Sequence, residues 1–135
     1  MIPEELTLKI PSLPDNIRIV ESFIDQIREK YNLSDDVYGN VIVAVTESVN
    51  NAIIHGNQNN KEKNVHLGIA IDNNNISFSI EDEGSGFNYN NLPDPTSPEN
   101  IDQPGGRGIF LIKHLADEVH FISSGNKVNL KFYLS

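Results

Sequence analysis

Between residues 65 and 80 the chain alternates strictly: Val65, Leu67, Ile69 and Ile71, a polar Asp72-Asn-Asn-Asn75, then Ile76, Phe78 and Ile80. A period of two puts these apolar side chains on one face of a β-hairpin and the residues between them on the other. Such a ribbon needs further strands beside it and a layer of helices over its apolar face. The rest of the chain supplies both. Leu6, Leu8 and Ile10 alternate until Pro11 and Pro14 close the run, and Val119 with Phe121, then Val128, Leu130, Phe132 and Leu134, form a second hairpin around residues 123–126. Ile17, Val20, Ile24 and Ile27 mark one side of a helix running to about Tyr31, with Asp15 or Asn16 as its cap. Val41, Val45, Val49 and Ala52 mark a second helix, capped by Ser34 or Asp35 and ended by Gly56 in the left-handed position. The expected fold is an α/β (α+β) two-layer sandwich, a mixed, mostly antiparallel sheet with helices on one face.

At 135 residues the chain fits one domain, 1–135, with a real core and no repeat or linker. With no cysteine, disulfides and thiolate metal sites are excluded. Nothing at the N-terminus reads as a signal peptide and no apolar run reaches spanning length, so the expected location is cytoplasmic, with no membrane partner. Ten basic residues against 19 acidic ones give a net charge of −9, which repels a phosphate backbone and argues against nucleic acid as a partner. A nucleotide is still compatible, provided a divalent cation and aligned backbone N–H groups supply local positive field.

Four features carry chemistry. On the second helix Glu47, Asn50 and Asn51 lie opposite the apolar stripe, and a carboxylate with two amides one turn apart suits an oxygen-ligated cation and a positioned hydroxyl or water. Continuing the alternation past Ile80 turns Asp82 inward while Glu81 and Glu83 face out, so Asp82 needs a hydrogen-bond partner from the protein or a ligand. The Gly84-Ser-Gly86 that follows allows close approach of backbone to whatever binds. Residues 87–104, rich in Pro, Asn and Asp with little apolar periodicity, read as a lid. Last, Gly105-Gly-Arg107-Gly108 opens a short helix with Ile109, Ile112 and Leu115 or Ala116 inward, and glycines at a helix start form an anion site. Neither the P-loop pattern nor the Val-Ala-Ile-Lys and His-Arg-Asp pair of eukaryotic-type kinases is present.

In this order and spacing the motifs resemble those of the GHKL ATPase superfamily, and within it the small stand-alone anti-sigma-factor serine kinases. Glu47-Ser-Val-Asn-Asn51-Ala-Ile-Ile-His55-Gly is similar to that family's N box, Asp82-Glu-Gly84-Ser-Gly86 to its first glycine box, and Gly106-Arg-Gly108-Ile-Phe-Leu-Ile to its second. The likeness runs from about Leu6 to Leu134 and implies a Bergerat-type ATP-binding fold. It implies Glu47 as general base, Asn51 as Mg²⁺ ligand, Asp82 as acceptor of the adenine amino group, and Gly84 and Gly86 as walls of the base pocket. Gly106 and Gly108, with Arg107 and Ile109 beside them, would meet the phosphates. Arg107 stays open between a γ-phosphate ligand and a surface residue, and His55 between a helix-end hydrogen bond and a catalytic part. Two positions depart from the pattern: Asn50 adds an amide whose role it does not fix, and Gly125-Asn126 stands where the family often has Gly-Thr.

The function implied is a Mg·ATP-dependent serine/threonine kinase that phosphorylates an anti-sigma-factor antagonist, with a sigma factor competing for it; a homodimer is left open. Two alternatives stand beside it: an ATP-binding regulatory module that transfers nothing, and the ATPase part of a sensor histidine kinase system.

Overall fold

The computed structural model describes residues 4–84, 106–122 and 126–134; the expected lid, Gly86, Gly105 and Gly125 lie outside them. Strands β1 (Glu4–Pro11), β2 (Asn64–Ile71), β3 (Asn75–Glu81), β4 (Glu118–Ile122) and β5 (Lys127–Tyr133) form one sheet in the order β1-β2-β3-β5-β4. Helices α1 (Ile17–Tyr31), α2 (Asp35–Asn51) and α3 (Gly106–Leu115) complete the fold. All four strand pairings are antiparallel, where the sequence left room for a mixed sheet.

Register follows from the alternation. Ile69 pairs with Phe78 and Phe78 with Leu130, while Ile76 pairs with Ile71 on one side and Phe132 on the other, so the apolar positions of three strands coincide on one face. Phe78 and Phe132 meet edge to face with centroids 6.0 Å apart, an arrangement that adds to what burial alone contributes. Onto this face α1 packs Val20, Ile24 and Ile27, α2 packs Val41, Ala44, Val45 and Val49, and α3 packs Ile109 and Ile112, all buried. Full burial of each large side chain contributes about 1.5–3 kcal/mol. Ala116 is buried after α3 and Leu115 is half-buried, so both inward candidates touch the core.

The helix starts differ from one another. Ser34 caps α2, its hydroxyl accepting the Val37 N–H at 3.2 Å, and Asp35 and Asp36 sit in the first turn where the helix dipole favours negative charge. Neither Asp15 nor Asn16 caps α1. A 3₁₀ turn, Pro14–Asn16, leads straight into the helix, and Asn16 instead donates to the Pro11 carbonyl at 2.9 Å. Pro14, whose ring presets the helical φ, starts the turn without any side-chain cap. Among the described residues no helix is long and apolar enough to cross a membrane.

Candidate nucleotide site

Helix α2 carries the first half of the site. Its apolar stripe faces the sheet, which leaves Glu47, Asn50 and Asn51 half-buried on the opposite arc. That arc is covered by the start of α3, because α2 and α3 pack together. At Gly108 an added methyl carbon would lie 2.9 Å from Asn51 Nδ2, 3.3 Å from Asn51 Oδ1 and 3.1 Å from Glu47 Oε2. A carboxylate and an amide thus converge on one point, and glycine lets the α3 backbone reach it. Asn51 Nδ2 is buried there with no hydrogen-bond partner among the described residues. A buried polar atom of this kind ordinarily has a partner, and an orphan marks a strain reservoir or a place where a ligand belongs.

The far end of α2 does not close as the sequence predicted. Residues Ala52–Gly56 form a π turn, with the Asn57 N–H bonded to the Ala52 carbonyl at 2.8 Å, and the left-handed residues come later, at Gln58 (φ 54°) and Asn59 (φ 59°). Gly56 is a glycine for another reason: a Cβ there would overlap the Asp82 carboxylate. Single π turns inside helices recur at functional sites, and this one brings the helix backbone onto the strand end that carries Asp82.

Asp82 is 9% exposed, as its place in the alternation requires, whereas Glu83 faces solvent. Its Oδ1 accepts the Gly84 N–H at 2.8 Å, and a Cβ on Gly84 would overlap the Gly56 carbonyl. Desolvation by burial pushes the Asp82 carboxyl above the usual aspartate range, opposed by that Gly84 bond; Glu81 nearby raises it further and Lys63 lowers it. The strand end is held from its other side too. Asp82 N–H donates to the Asn126 carbonyl at 2.9 Å and Asn126 Nδ2 donates to the Asp82 carbonyl at 3.3 Å. Asn126, where the resemblance put a departure, ties β5 to this strand end.

The structure therefore brings Glu47, Asn51 and Gly108 together, and separately Gly56, Asp82 and Gly84, at two points along one helix. Gly56 lies nine positions beyond Glu47 and five beyond Asn51, roughly one and a half to two and a half helical turns along the axis. Gly106 and Arg107 fall in the first turn of α3, and the Arg107 side chain lies outside what is described. Ile109 buries its side chain in the core, so only its backbone remains to meet a ligand. His55 is exposed. Sequence reasoning missed Asn57 and Ser12, both fully buried and hydrogen-bonded to each other. Asn57 opens a polar run that reads as loop, and nothing in hydrophobic periodicity marks a buried amide.

Residues 10–132 match a family described as the histidine kinase-like ATPase domain. The serine-protein kinase RsbW of Bacillus licheniformis is 30% identical over 140 residues, spanning 96% of this chain and 86% of that protein. The protein of the same name from Oceanobacillus iheyensis is 26% identical over 120 residues, spanning 84% and 76%. The anti-sigma F factor of Bacillus cytotoxicus is 28% identical over 138 residues, spanning 97% and 93%. Among solved structures, the RsbU and RsbW domains of a Mycobacterium tuberculosis protein match with a TM-score of 0.66 at 13% identity, over 96% of this chain and 31% of that one. At that identity the likeness is one of fold.

Proposed function

The chain belongs to the histidine kinase-like ATPase domain family, and on that premise we propose that it is an ATP-dependent serine/threonine protein kinase of the anti-sigma-factor type. It transfers the γ-phosphate of Mg·ATP to a hydroxyl on an antagonist protein, within a partner switch in which a sigma factor competes for the kinase. ATP and a sigma factor both place it in the cytoplasm, and residues 1–135 act as one ATP-binding domain.

The observation that carries this reading is the pair of contact points on α2. At one, Asp82 is a buried acceptor whose second oxygen receives no protein donor among the described residues, which suits the amino group of adenine and disfavours the carbonyl that guanine has there. At the other, Glu47 and Asn51 present oxygens to a common point beneath the start of α3, where backbone N–H groups and the helix dipole favour phosphate. This donor set fits magnesium: Asn51 Oδ1 is a neutral oxygen ligand of the kind that shares the ion with phosphates, and its Nδ2 is held by no partner among the described residues. When bound, the ion neutralises charge that builds on the phosphate oxygens. The protein's own part is positioning. Glu47, one turn before Asn51, accepts the proton of the incoming hydroxyl; Asp82 and Gly84 hold the base; Gly108 keeps α3 close to the phosphates.

The test is transfer of label from γ-labelled ATP to candidate antagonist proteins. Labelled antagonist is the expected result. Protein that binds ATP yet labels none of them leaves the site intact and makes the chain a regulatory ATP-binding module.

A further inference from the structure

Asn57 follows the π turn and is 1% exposed. Both ends of its side chain are engaged. Nδ2 donates to Ser12 Oγ at 2.8 Å and to the Asn64 carbonyl at 3.0 Å, while Oδ1 accepts the Glu83 N–H at 2.7 Å. Because the Glu83 partner is a donor and the Asn64 partner an acceptor, the amide can sit only one way round. Ser12, itself fully buried, donates its hydroxyl hydrogen bond to the Lys63 carbonyl at 2.7 Å. One side chain therefore joins the segment after β1, the start of β2 and the turn after β3. Its own backbone makes the last rung of the helix that carries Glu47 and Asn51.

The two ends do different work. The donor end reaches β1 and β2 and knits the fold. The acceptor end reaches the peptide between Asp82 and Gly84, the two residues read as meeting adenine. We propose that Asn57 is a positioning residue for base recognition: its Oδ1 fixes the Glu83 peptide, and with it the Asp82 carboxylate, at a set distance from α2. A fixed distance matters because Gly56 and Gly84 approach so closely that the Asp82 carboxylate has little room on that side. This rests on the reading of Asp82 as the adenine acceptor.

A purely structural role for Asn57 would lower stability without changing which base is preferred, so the readout is the ratio of ADP to GDP affinity. Calorimetry is run well below each variant's melting temperature, with folding checked by circular dichroism. Ser12→Ala removes a partner of the donor end only; it should melt earlier and keep the wild-type ratio. Asn57→Asp keeps an acceptor opposite the Glu83 N–H while placing an oxygen against the Asn64 carbonyl, so it too should lose stability and keep the ratio. Asn57→Ala should lose at least about tenfold in ADP affinity, the scale of one hydrogen bond to a charged or positioned group, and most of its preference over GDP. Should Asn57→Ala not fold, Glu83→Pro deletes the same N–H from the other side and should lose the preference that Glu83→Ala retains. A wild-type ratio in Asn57→Ala or in Glu83→Pro, or a ratio lost equally in Ser12→Ala, overturns the proposal. Asp82→Ala separates the two levels: if it leaves the ratio unchanged, the adenine reading fails first and this inference with it.

Discussion

The two ends of the site are built on opposite terms. Around Asp82 the protein makes most of the hydrogen bonds itself: Gly84 bonds to the carboxylate, Asn126 to the strand backbone and Asn57 to the Glu83 peptide, with Gly56 close against the side chain, while Asp82 Oδ2 and Asn126 Oδ1 have no partner among the described residues. Around Asn51 the network is sparser. Glu47 and Asn51 both crowd the space where a Cβ on Gly108 would stand, yet the Asn51 amide nitrogen is buried and unpartnered among the described residues. On the proposed reading, one end is a socket for a rigid planar group, preorganised before anything binds. The other keeps polar capacity in reserve for ions and charges that arrive and leave during a reaction, and pays for that reserve in stability. If this contrast is right, substitutions at the finished end should change stability and binding at once, in the same or in opposite directions, and those at the reserve end should change one while largely sparing the other.

The largest separation is expected at Glu47. Glu47→Ala should bind Mg·ATP nearly as well as wild type, since the carboxylate acts on the incoming hydroxyl, while transfer to the antagonist falls about 10²- to 10⁴-fold, the usual effect of losing a positioned base. Single-turnover labelling alongside calorimetry reads both. Equal loss of affinity and rate would make Glu47 a ligand-binding residue and erase the contrast.

Next comes Asp82, where stability and binding should move in opposite directions. Burial raises its pKa in the folded state, so the folded protein holds that proton to higher pH than the unfolded chain does. Stability is then greatest at pH below the ordinary aspartate range and falls as pH rises through the elevated folded value. Asp82→Asn has no charge to desolvate and keeps an oxygen for the Gly84 N–H, so it should melt higher than wild type at neutral pH. It also puts a donor where the adenine amino group donates, and ADP affinity should drop about 10- to 100-fold, the span of a hydrogen bond to a charged group. Wild-type ADP affinity should itself weaken on acidification as the carboxylate is protonated. A variant that melts lower and binds as well would reverse both halves of the assignment.

How far the sequence foretold this contrast depends on which forces were at work. Strict alternation fixed which residues of β2, β3 and β5 face the core, and carrying it one step past Ile80 turned Asp82 inward, where it is found. Helical spacing placed Glu47 and Asn51 on one arc of α2. What sequence could not supply was contact made by backbone at long range. Gly56 reads locally as a helix stop because glycine usually is one; its actual constraint comes from Asp82, 26 positions away, and no local pattern encodes that. Asn57 was hidden for the same reason: an amide in a run of Asn and Gln looks solvated until β1 and β3 are folded around it. The sheet's strand order and uniformly antiparallel pairing likewise depend on how the chain crosses the helices, which periodicity leaves undetermined.

The two crowded glycines sharpen the comparison further. At Gly56 an alanine methyl would meet a buried carboxylate pinned by its own hydrogen bond, with nowhere to retreat, and Gly56→Ala should cost about 1–3 kcal/mol of stability together with nucleotide affinity. At Gly108 the methyl meets the outer ends of Asn51 and Glu47, which can swing aside, so Gly108→Ala should cost less in denaturant melts while still displacing the two groups proposed to face the phosphates. A larger stability loss at Gly108 than at Gly56 would mean that the socket is the softer end.

The smallest effect on the fold is expected at Asn51, and its smallness is the point. A buried amide nitrogen with no partner among the described residues contributes little to holding the protein together and imposes a desolvation cost of about 1–3 kcal/mol that folding must absorb. Asn51→Ala removes that cost along with the side chain's packing, which is of similar size, so the melting temperature without ligand should stay within a few degrees of wild type or rise. Affinity should respond differently, and only when the metal is present. If Asn51 Oδ1 holds magnesium jointly with the phosphates, Asn51→Ala weakens Mg·ATP binding by far more than binding of ATP in chelator, and calorimetry with and without Mg²⁺ gives the two losses side by side. A protein that melts much lower without Asn51, and loses ATP equally with and without the metal, would show the amide to be one more strut of the fold, and the reserve end would then be no different in kind from the finished one.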